Sequence, residues 1–348
     1  MLHSILKNVQ ISMLIAKDKK GNYINAEDLT DKRGTYFCPA CESLVILKSG
    51  SIMINHFAHQ SLNHCENRSE NESAQHLSLK LKLFNWLNRC RSTKVELEKY
   101  LPQLEQTPDL LVNENIAIEV QCSPLSLKRL SERTKNYQRC GIKVIWLMGQ
   151  DLWLNQRMSQ LQRNLMYFSN NCGFYFWELD NANDEVRLKS LIHEDVRGEI
   201  YYVTKYFQFY HDDLLEILRF PFQQQPPQKI KISPLKLVNQ ENYIKKQLYH
   251  RNPRWLKIQE KYYLRGQNLM TSTFSYPLIG PVGFDLLFFK VSPQRKQTFC
   301  QIDANISDYY RRFAQNIIEN QKSSDNLCLY PPHFYAIMED KSKEEKDS

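Results

Sequence analysis

The chain has 348 residues, 42% of them apolar, and its 46 Lys and Arg against 38 Asp and Glu give a formal net charge of +8. This length suffices for two or three domains, and no apolar stretch approaches the roughly 20 residues of a membrane-spanning helix, so a membrane partner is not expected. The nine cysteines lack the spacing of a disulfide framework, and the first 13 residues have no signal-peptide cleavage site, although Met13 is an alternative start. We therefore predict a cytoplasmic protein.

Residues 13–66 carry cysteines and histidines at the spacing of a zinc site. A Cys-x-x-Cys pair forms one half of many tetrahedral zinc sites. His56 and His59 would point to opposite faces of a strand, so we predict that His59 binds the metal and that His56 is structural. The alternative is a small β module with two reduced cysteines and no metal. The zinc candidates are Cys38, Cys41, His56, His59 and Cys65, with His64 as a substitute for the last.

Residues 67–150 alternate between helical and extended patterns. The predicted elements are a helix at 72–89, a strand at 94–100, a β-hairpin at 110–112 and 116–118, a second helix at 125–139 and a buried strand at 142–148. On the first helix Glu72, His76 and Lys80 recur every four residues and share one stripe. Charged stripes usually face water, so we expect His76 and Lys80 to be solvated.

The hairpin carries the candidate catalytic residues. Asp109 follows a proline at the start of its first strand, and Glu119 and Gln121 end the second strand on one common face. Carboxylates are the preferred ligands of Mg²⁺ and Mn²⁺, which support phosphodiester hydrolysis. We predict that Asp109 and Glu119 bind this metal and that Gln121, which is uncharged where such sites commonly have lysine, orients the water. The alternative is a turn aspartate and a glutamate at a solvated strand end.

The order of these elements, with Pro-Asp and Glu-x-Gln on the hairpin, resembles the PD-(D/E)xK nuclease fold. Residues 117–123, then Arg133 with Tyr137, then residues 145–147 are similar to the competence protein CoiA family. The similarity covers about the first 150 residues well and the remainder only loosely, through residues 275–278.

The resemblance implies an α/β fold with a restriction-endonuclease-like (PD-(D/E)xK) core, a zinc-finger-like N-terminal module and a DNA ligand. It implies an acidic cluster of Glu72, Asp109 and Glu119, with Arg133 and Tyr137 on the DNA side; the alternative for these last two is a surface packing pair. Members of the family are implicated in recombining incoming single-stranded DNA during natural transformation. By the same analogy, a recombinase or a single-strand-binding protein would be a partner.

Residues 151–338 are predicted to be mainly helical, with an aromatic strand at 173–177 and a hinge at 223–228, and residues 339–348 to be a disordered charged tail. Between residues 229 and 265, ten Lys and Arg accompany only two Glu and are interleaved with Tyr and Trp. Cations with aromatic rings are typical of a single-stranded nucleic-acid groove, whereas the alternative is a pair of amphipathic helices that bury the rings. The candidate nucleic-acid-binding residues are Lys245, Lys246, Arg251, Arg254 and Lys257.

Two functions fit these patterns. The first is a Mg²⁺- or Mn²⁺-dependent deoxyribonuclease that acts in recombination. The second is a catalytically inactive nuclease fold that mediates recombination by binding single-stranded or branched DNA, with Gln121 as the mark of lost chemistry. Alanine substitution of Asp109 and Glu119 distinguishes them, because only the first function requires these carboxylates.

Overall fold

A computed structural model describes residues 12–29, 33–50, 53–60, 72–90, 93–273, 278–288, 302, 306–320 and 327–347. His64, Cys65 and most of residues 275–278 lie outside this set. None of the helices in the described ranges is long and apolar enough to cross a membrane. The chain divides into two compact units. The first comprises Met1–Trp153, Trp177–Arg187 and Phe207–Ile217, and the second comprises Leu154–Phe176, Leu188–Tyr206 and Leu218–Ser348.

The first unit begins with a small antiparallel sheet. Its strands are β1 (Ser12–Met13), β2 (Ile15–Lys17), β3 (Tyr23–Asn25), β4 (Tyr36–Phe37), β5 (Leu44–Lys48) and β6 (His56–His59), in the order β1-β6-β5-β4-β2-β3. Ala16, Tyr36, Val45 and Phe57 form its core, together with Cys38. The sequence prediction of a small β module at this end of the chain agrees with this sheet.

The elements that follow have the predicted order. They are α1 (Ala74–Leu87), β7 (Val95–Leu97), β8 (Leu110–Val112), β9 (Ile116–Gln121), α2 (Leu127–Arg139) and β10 (Lys143–Met148). Ser73 caps α1 by accepting a hydrogen bond from the backbone N–H of His76. Strands β8 and β9 form the antiparallel hairpin, and β10 runs parallel to β9 with Trp146 opposite Glu119. Asp109, at the start of the hairpin, contacts α1, and Glu119, in its second strand, contacts α2.

The sheet continues beyond residue 150, where the predicted nuclease-like domain ends. The chain adds α3 (Gln160–Asn164), β11 (Tyr167–Ser169), β12 (Gly173–Asp180), β13 (Glu185–Asp195) and β14 (Ile200–Gln208). The strand order is β14-β13-β12-β10-β9-β8-β7, with β11 beside β12. The strand predicted at 173–177 is confirmed as part of β12, whereas the prediction of a mainly helical region is wrong for β11, β13 and β14. In β13 the left-handed conformation of Leu191 (φ 55°) interrupts the alternation of side chains between the two faces of the strand. The apolar residues Leu188, Leu191 and Ile192 therefore have the three- and four-residue spacing that is typical of a helix.

The remaining residues of the second unit are mostly helical, as predicted. They form α4 (Leu214–Arg219), β15 (Ile230–Ile232), α5 (Pro234–Tyr249), α6 (Pro253–Tyr263), α7 (Leu269–Thr273), β16 (Ile279–Pro281), α8 (Ser307–Asn320), β17 (Leu327–Leu329) and α9 (Pro332–Asp347), of which α4 falls in the first unit up to Ile217. The prediction of a disordered tail at 339–348 is wrong for residues 339–347, which lie in α9. Glu and Lys dominate that segment, and both are good helix formers.

Candidate functional site

Four buried carboxylates line one cavity of about 90 Å³ in the described part of the first unit. Glu72 lies just before α1, Glu98 follows β7, Asp109 precedes β8 and Glu119 lies in β9; each is less than 9% exposed. Gln121 borders the same cavity. The structure therefore brings together all four predicted catalytic residues, and it adds Glu98, which the sequence analysis missed.

Lys80 joins three of these carboxylates. Its Nζ lies 2.7 Å from Glu72 Oε1, 2.7 Å from Glu98 Oε1 and 3.1 Å from Asp109 Oδ1, and the residue is only 1% exposed. The prediction that Lys80 faces water is therefore wrong. A lysine charge is tolerated in the interior when opposite charges contact it directly, and here three do.

His76 is the second residue of this stripe that was wrongly predicted to be solvated. Its Nε2 lies 3.1 Å from Asp109 Oδ2, and its side chain is 17% exposed. Burial lowers the pKa of His76, but Asp109 and Glu72 raise it by more, so the pKa lies above its usual value. Helical spacing identified the shared face of α1 correctly; it could not show that this face meets carboxylates rather than water.

Asp109 is held in its ionised form. Burial raises its pKa, but Lys80 and then His76 lower it by more, and the pKa of Asp109 lies far below its usual range. Its Oδ2 also accepts a 2.7 Å hydrogen bond from the backbone N–H of Val120. A carboxylate fixed at one oxygen by backbone and at the other by Lys80 is oriented before any ligand arrives.

Helix α2 holds Glu119. Oε1 of Glu119 accepts hydrogen bonds of 2.6 Å from Arg133 Nη2 and 2.6 Å from the hydroxyl of Tyr137. Arg133 borders the cavity, whereas Tyr137 is fully buried and has no surface to offer DNA. Arg133 and Tyr137 are therefore not a surface packing pair, because both orient the carboxylate of Glu119. Tyr137 is also not a DNA contact, since it is buried. Burial raises the pKa of Glu119 by more than Arg133 lowers it.

Three side chains that line the cavity are close enough to share one cation. Ligand atoms of Glu72, His76 and Asp109 lie within 4.8 Å of one another. Oε2 of Glu72 is buried without a hydrogen-bond partner, and burial raises the pKa of Glu72 by more than Lys80 lowers it. When ionised, the four carboxylates exceed the charges of Lys80 and Arg133 by two, which one divalent cation neutralises. The oxygen-rich donor set suits Mg²⁺ or Mn²⁺.

Glu119 is not one of these three groups. It borders the same cavity, but its Oε1 is already bound to Arg133 and Tyr137. The role of Glu119 as a metal ligand stays a prediction, and so does the role of Gln121 in orienting the water. The amide of Gln121 donates a 2.8 Å hydrogen bond to the backbone carbonyl of Ser123.

A second cluster contains three of the zinc candidates. Ligand atoms of Cys38, Cys41 and His59 lie within 4.8 Å of one another, with 3.3 Å between Cys41 Sγ and His59 Nε2. Hydrogen bonding to Cys38 raises the pKa of His59 to about 9, although burial opposes the shift. His56 is not in the group, and its Nδ1 lies 2.9 Å from the carbonyl oxygen of Ile54. Two sulfurs and one imidazole are a donor set that zinc prefers.

We expect the purified protein to contain about one zinc ion per chain. Cys38→Ser should weaken zinc binding at least tenfold because a thiolate ligand is lost, and His59→Ala should do the same. His56→Ala should leave the zinc content unchanged. Metal analysis after dialysis against a weak chelator tests this. Equal zinc loss in the His56 and His59 variants would contradict the assignment.

Glu98 connects the N-terminal sheet to the acidic cluster. While Oε1 contacts Lys80, Oε2 accepts hydrogen bonds of 2.7 Å from the backbone N–H of Leu14 and 2.9 Å from that of Ile15. Cys38 and His59 border the same cavity as Asp109. The N-terminal module therefore forms part of the cavity wall. The strand predicted at 94–100 contains both Glu96 and Glu98, and no local signal distinguished the buried glutamate from the other.

Glu98→Gln should lower the free energy of unfolding by about 1–3 kcal/mol. A glutamine has only one acceptor oxygen. Its amide N–H₂ donor must therefore face a second donor, either the ammonium of Lys80 or the N–H groups of Leu14 and Ile15. Hydrogen exchange of those two amides should accelerate.

The matched control is Glu96→Gln, because Glu96 is partly exposed and pairs with the partly exposed Lys99. This change should alter stability by less than about 1 kcal/mol. Unchanged exchange at Leu14 and Ile15 in the Glu98 variant would show that this connection is not maintained in solution.

The predicted nucleic-acid-binding residues of the second unit are all exposed. They lie on α5, in the following turn and on α6: Lys245, Lys246, Arg251, Arg254 and Lys257. The aromatic residues among them divide into two sets. Trp255 and Tyr262 are buried in the core of this region, as the amphipathic-helix alternative expects, whereas Tyr249 and Tyr263 are 84% and 80% exposed.

Two family models match the chain. The competence protein CoiA nuclease-like domain matches residues 72–217, and the competence protein CoiA N-terminal domain matches residues 20–68. The chain belongs to the CoiA family. It is 32% identical over 155 residues to the competence protein CoiA of Bacillus subtilis (strain 168), a match that covers 44% of this chain and 39% of that protein. No solved structure matches the chain significantly.

The two CoiA models coincide with the two clusters. The N-terminal match contains Cys38, Cys41 and His59, and the nuclease-like match contains every carboxylate of the cavity. The nuclease-like match also runs past β10 through β14, in agreement with the extent of the sheet. Apart from Ser12, Met13 and Ile15, the residues that line the cavity all lie within the two matched segments.

Proposed function

We propose that this CoiA-family protein acts in competence by hydrolysing phosphodiester bonds of DNA with a divalent cation in the acidic cavity. Family membership supports the role in competence. The observation that carries the hydrolytic part is the cluster of Glu72, Glu98, Asp109 and Glu119, which when ionised retains two negative charges after Lys80 and Arg133 are counted and leaves Glu72 Oε2 without a partner. A buried site with uncompensated charge favours a cation.

Asp109, Glu72 and Glu119 are the residues that would hold the metal, with His76 beside them. When bound, Mg²⁺ or Mn²⁺ polarises the phosphoryl group and lowers the pKa of a water ligand. The protein's own groups do the positioning. Asp109 stays ionised, and the backbone N–H of Val120 fixes its orientation.

Lys80 supplies the positive charge that Gln121 lacks. Its ammonium borders the cavity and contacts Asp109 from α1 rather than from the hairpin. A cation there attracts the phosphate and stabilises charge that develops in the transition state. Gln121 then needs only to orient a water or a phosphate oxygen through its amide. Because Lys80 on α1 supplies the positive charge, the site can have the neutral Gln121 where nuclease sites of this kind commonly have a lysine.

The second candidate function is a recombination mediator that binds single-stranded or branched DNA without cutting it. One observation favours it: three carboxylates already neutralise Lys80 directly, so the ammonium takes up part of the charge that would otherwise hold metal. A recombinase or a single-strand-binding protein would be its partner, as the family resemblance implies. Zinc at Cys38, Cys41 and His59 would stabilise the N-terminal wall in either function.

The decisive experiment is DNA cleavage by the full-length protein. Labelled single-stranded, duplex and branched DNA are incubated with Mg²⁺ or Mn²⁺, beside the double variant Asp109→Ala, Glu119→Ala. We expect metal-dependent cleavage that falls at least 1000-fold in the double variant, because several kcal/mol of transition-state stabilisation are lost.

The matched control is Asp151→Ala, Glu132→Ala, which removes two exposed carboxylates from the same unit. It should cleave like the wild type. DNA binding without cleavage under every metal would favour the mediator. Natural transformation that survives in a strain carrying only the double variant would exclude hydrolysis as the function.

A further inference from the structure

The N-terminal sheet connects His59, one of the three zinc candidates, to the backbone donors of Glu98. His59 is the last residue of β6, and β1 runs antiparallel to β6 with Met13 opposite Phe57. The chain continues directly from β1 into Leu14, whose backbone N–H donates to Glu98 Oε2 at 2.7 Å. One pair of hydrogen-bonded strands therefore separates the zinc candidates from Glu98.

Glu98 extends this connection into the acidic cluster. Its Oε2 accepts two backbone N–H groups of the N-terminal module, while its Oε1 lies 2.7 Å from Lys80 Nζ. The same ammonium contacts Glu72 at 2.7 Å and Asp109 at 3.1 Å. Lys80 is thus shared among three carboxylates, and the N-terminal module fixes the position of one of them.

Zinc is positioned to order the strands that reach Glu98. A module of about 50 residues buries so little surface that its stability is marginal, and a bound zinc ion adds a cross-link. Here the ion would join Cys38 and Cys41, in the turn between β4 and β5, to His59 in β6. Zinc binding should therefore order β6 and, through strand pairing, β1.

The position of Glu98 determines how the charge of Lys80 is divided. With both backbone donors in place, Glu98 is held beside the ammonium and shares it. Without them, a buried carboxylate oxygen loses two hydrogen bonds, and we expect Glu98 to turn towards other donors or water. Lys80 then neutralises only Glu72 and Asp109. Both are proposed ligands of the cation, so stronger pairing with Lys80 competes with metal binding.

We propose that zinc binding to the N-terminal module raises the affinity of the acidic cavity for its divalent cation, and that Glu98 transmits the effect. The inference rests on the proposed function in taking a cation as the ligand of the cavity; it requires no cleavage. Coupling between two binding sites is reciprocal, so a cation in the cavity also tightens zinc binding by the same factor. We expect a factor of about ten, within the usual range for such coupling.

The first test is calorimetric titration of the full-length protein with Mn²⁺ at pH 7.5. Cys38→Ser, freed of zinc by dialysis against a weak chelator, should bind Mn²⁺ about tenfold more weakly than the zinc-loaded wild type. The matched control is Cys140→Ser, because Cys140 is exposed at the end of α2. This control should bind Mn²⁺ like the wild type. Equal affinity in Cys38→Ser and the wild type would overturn the proposal.

Glu98→Gln distinguishes transmission from a simple loss of negative charge near the cavity. In the zinc-loaded protein this change should weaken Mn²⁺ binding. If Glu98 transmits the effect of zinc, adding Cys38→Ser should weaken binding by less than about a further twofold, because the connection is already broken. Full additivity of the two effects would show that zinc acts by another route and would overturn the role of Glu98.

The reciprocal measurement needs no zinc-free variant, so it decides the question even if Cys38→Ser fails to fold. Competition with a zinc-selective chelator gives the zinc affinity with and without saturating Mn²⁺. Mn²⁺ should raise the zinc affinity of the wild type about tenfold and leave that of the double variant Asp109→Ala, Glu119→Ala unchanged. A wild-type zinc affinity that does not respond to Mn²⁺ would overturn the coupling.

The same measurements separate this inference from the proposed hydrolysis. A wild type that binds Mn²⁺ with no response to zinc rejects the coupling and leaves metal-dependent hydrolysis in place. A wild type without a Mn²⁺ site rejects both. Coupled binding of the two metals in a protein that cleaves no DNA supports the coupling and rejects the hydrolysis alone.

Discussion

Replacing Lys80 by methionine should lower the free energy of unfolding at neutral pH by about 3–5 kcal/mol. Methionine fills a similar volume, so the loss measures charge rather than packing. Glu72, Glu98 and Asp109 would remain buried without the ammonium that contacts all three. Urea denaturation at pH 7.5 measures the effect.

The matched control is Lys82→Met on the same helix. Lys82 pairs with Asp184, but the two side chains are 29% and 51% exposed, and such a pair contributes less than about 1 kcal/mol. If Lys80→Met also costs less than about 1 kcal/mol, the three-carboxylate contact does not exist in solution.

The Lys80→Met penalty should shrink as the pH falls. Without Lys80 the pKa values of its partners rise, so the folded state binds more protons than the unfolded state between the ordinary and the raised pKa values. Stability then increases as the pH falls through that interval. The difference between wild type and variant should therefore be smaller at pH 5.5 than at pH 7.5. A penalty that is equal at the two pH values would contradict the electrostatic explanation.

Metal binding to the cavity should weaken steeply in mild acid. Burial raises the pKa values of Glu72 and Glu119, and each must lose its proton before it can bind a cation. Below those raised values the affinity for Mn²⁺ should fall about tenfold per pH unit for each carboxylate that gives up a proton. His76, whose pKa is also raised, adds to the loss because its charged form repels the cation.

The control for this pH dependence is Glu72→Gln. It should bind Mn²⁺ more weakly than the wild type at pH 8, and its slope against pH should be smaller by about one proton. Lys80, Arg133 and Asp109 keep their charges throughout the interval and do not contribute to the slope. Calorimetric titrations from pH 8 down to about pH 4.3, the ordinary pKa of a glutamate, give both quantities. A wild-type affinity that is constant over this whole range would exclude buried carboxylates as ligands.

The elements around the cavity were predictable because their signals are local. The spacing of apolar residues in α1 and α2, and the polar turn between β8 and β9, depend on neighbouring positions alone. The same holds for Asp109, Glu119 and Gln121, whose positions at strand ends follow from the hairpin. Strand β13 was not predictable in this way, because the left-handed Leu191 shifts its alternation.

The contacts that complete the site were not predictable from local pattern. Glu98 reaches backbone groups 83 and 84 positions away in the chain, and Lys80 contacts Asp109, which follows one intervening strand and a loop. A charged stripe on a helix gives the same sequence signal whether it faces water or carboxylates. His76 and Lys80 were assigned to water for this reason, and only the tertiary fold distinguishes the two environments.

The proposed hydrolysis depends on a divalent cation in the acidic cavity. Calorimetric titration of the zinc-loaded protein with Mn²⁺ at pH 7.5, beside the double variant Asp109→Ala, Glu119→Ala, tests whether the cavity holds one. We predict one Mn²⁺ site per wild-type chain that is absent from the double variant. A wild type without this site, or a double variant that binds Mn²⁺ equally well, would contradict the claim.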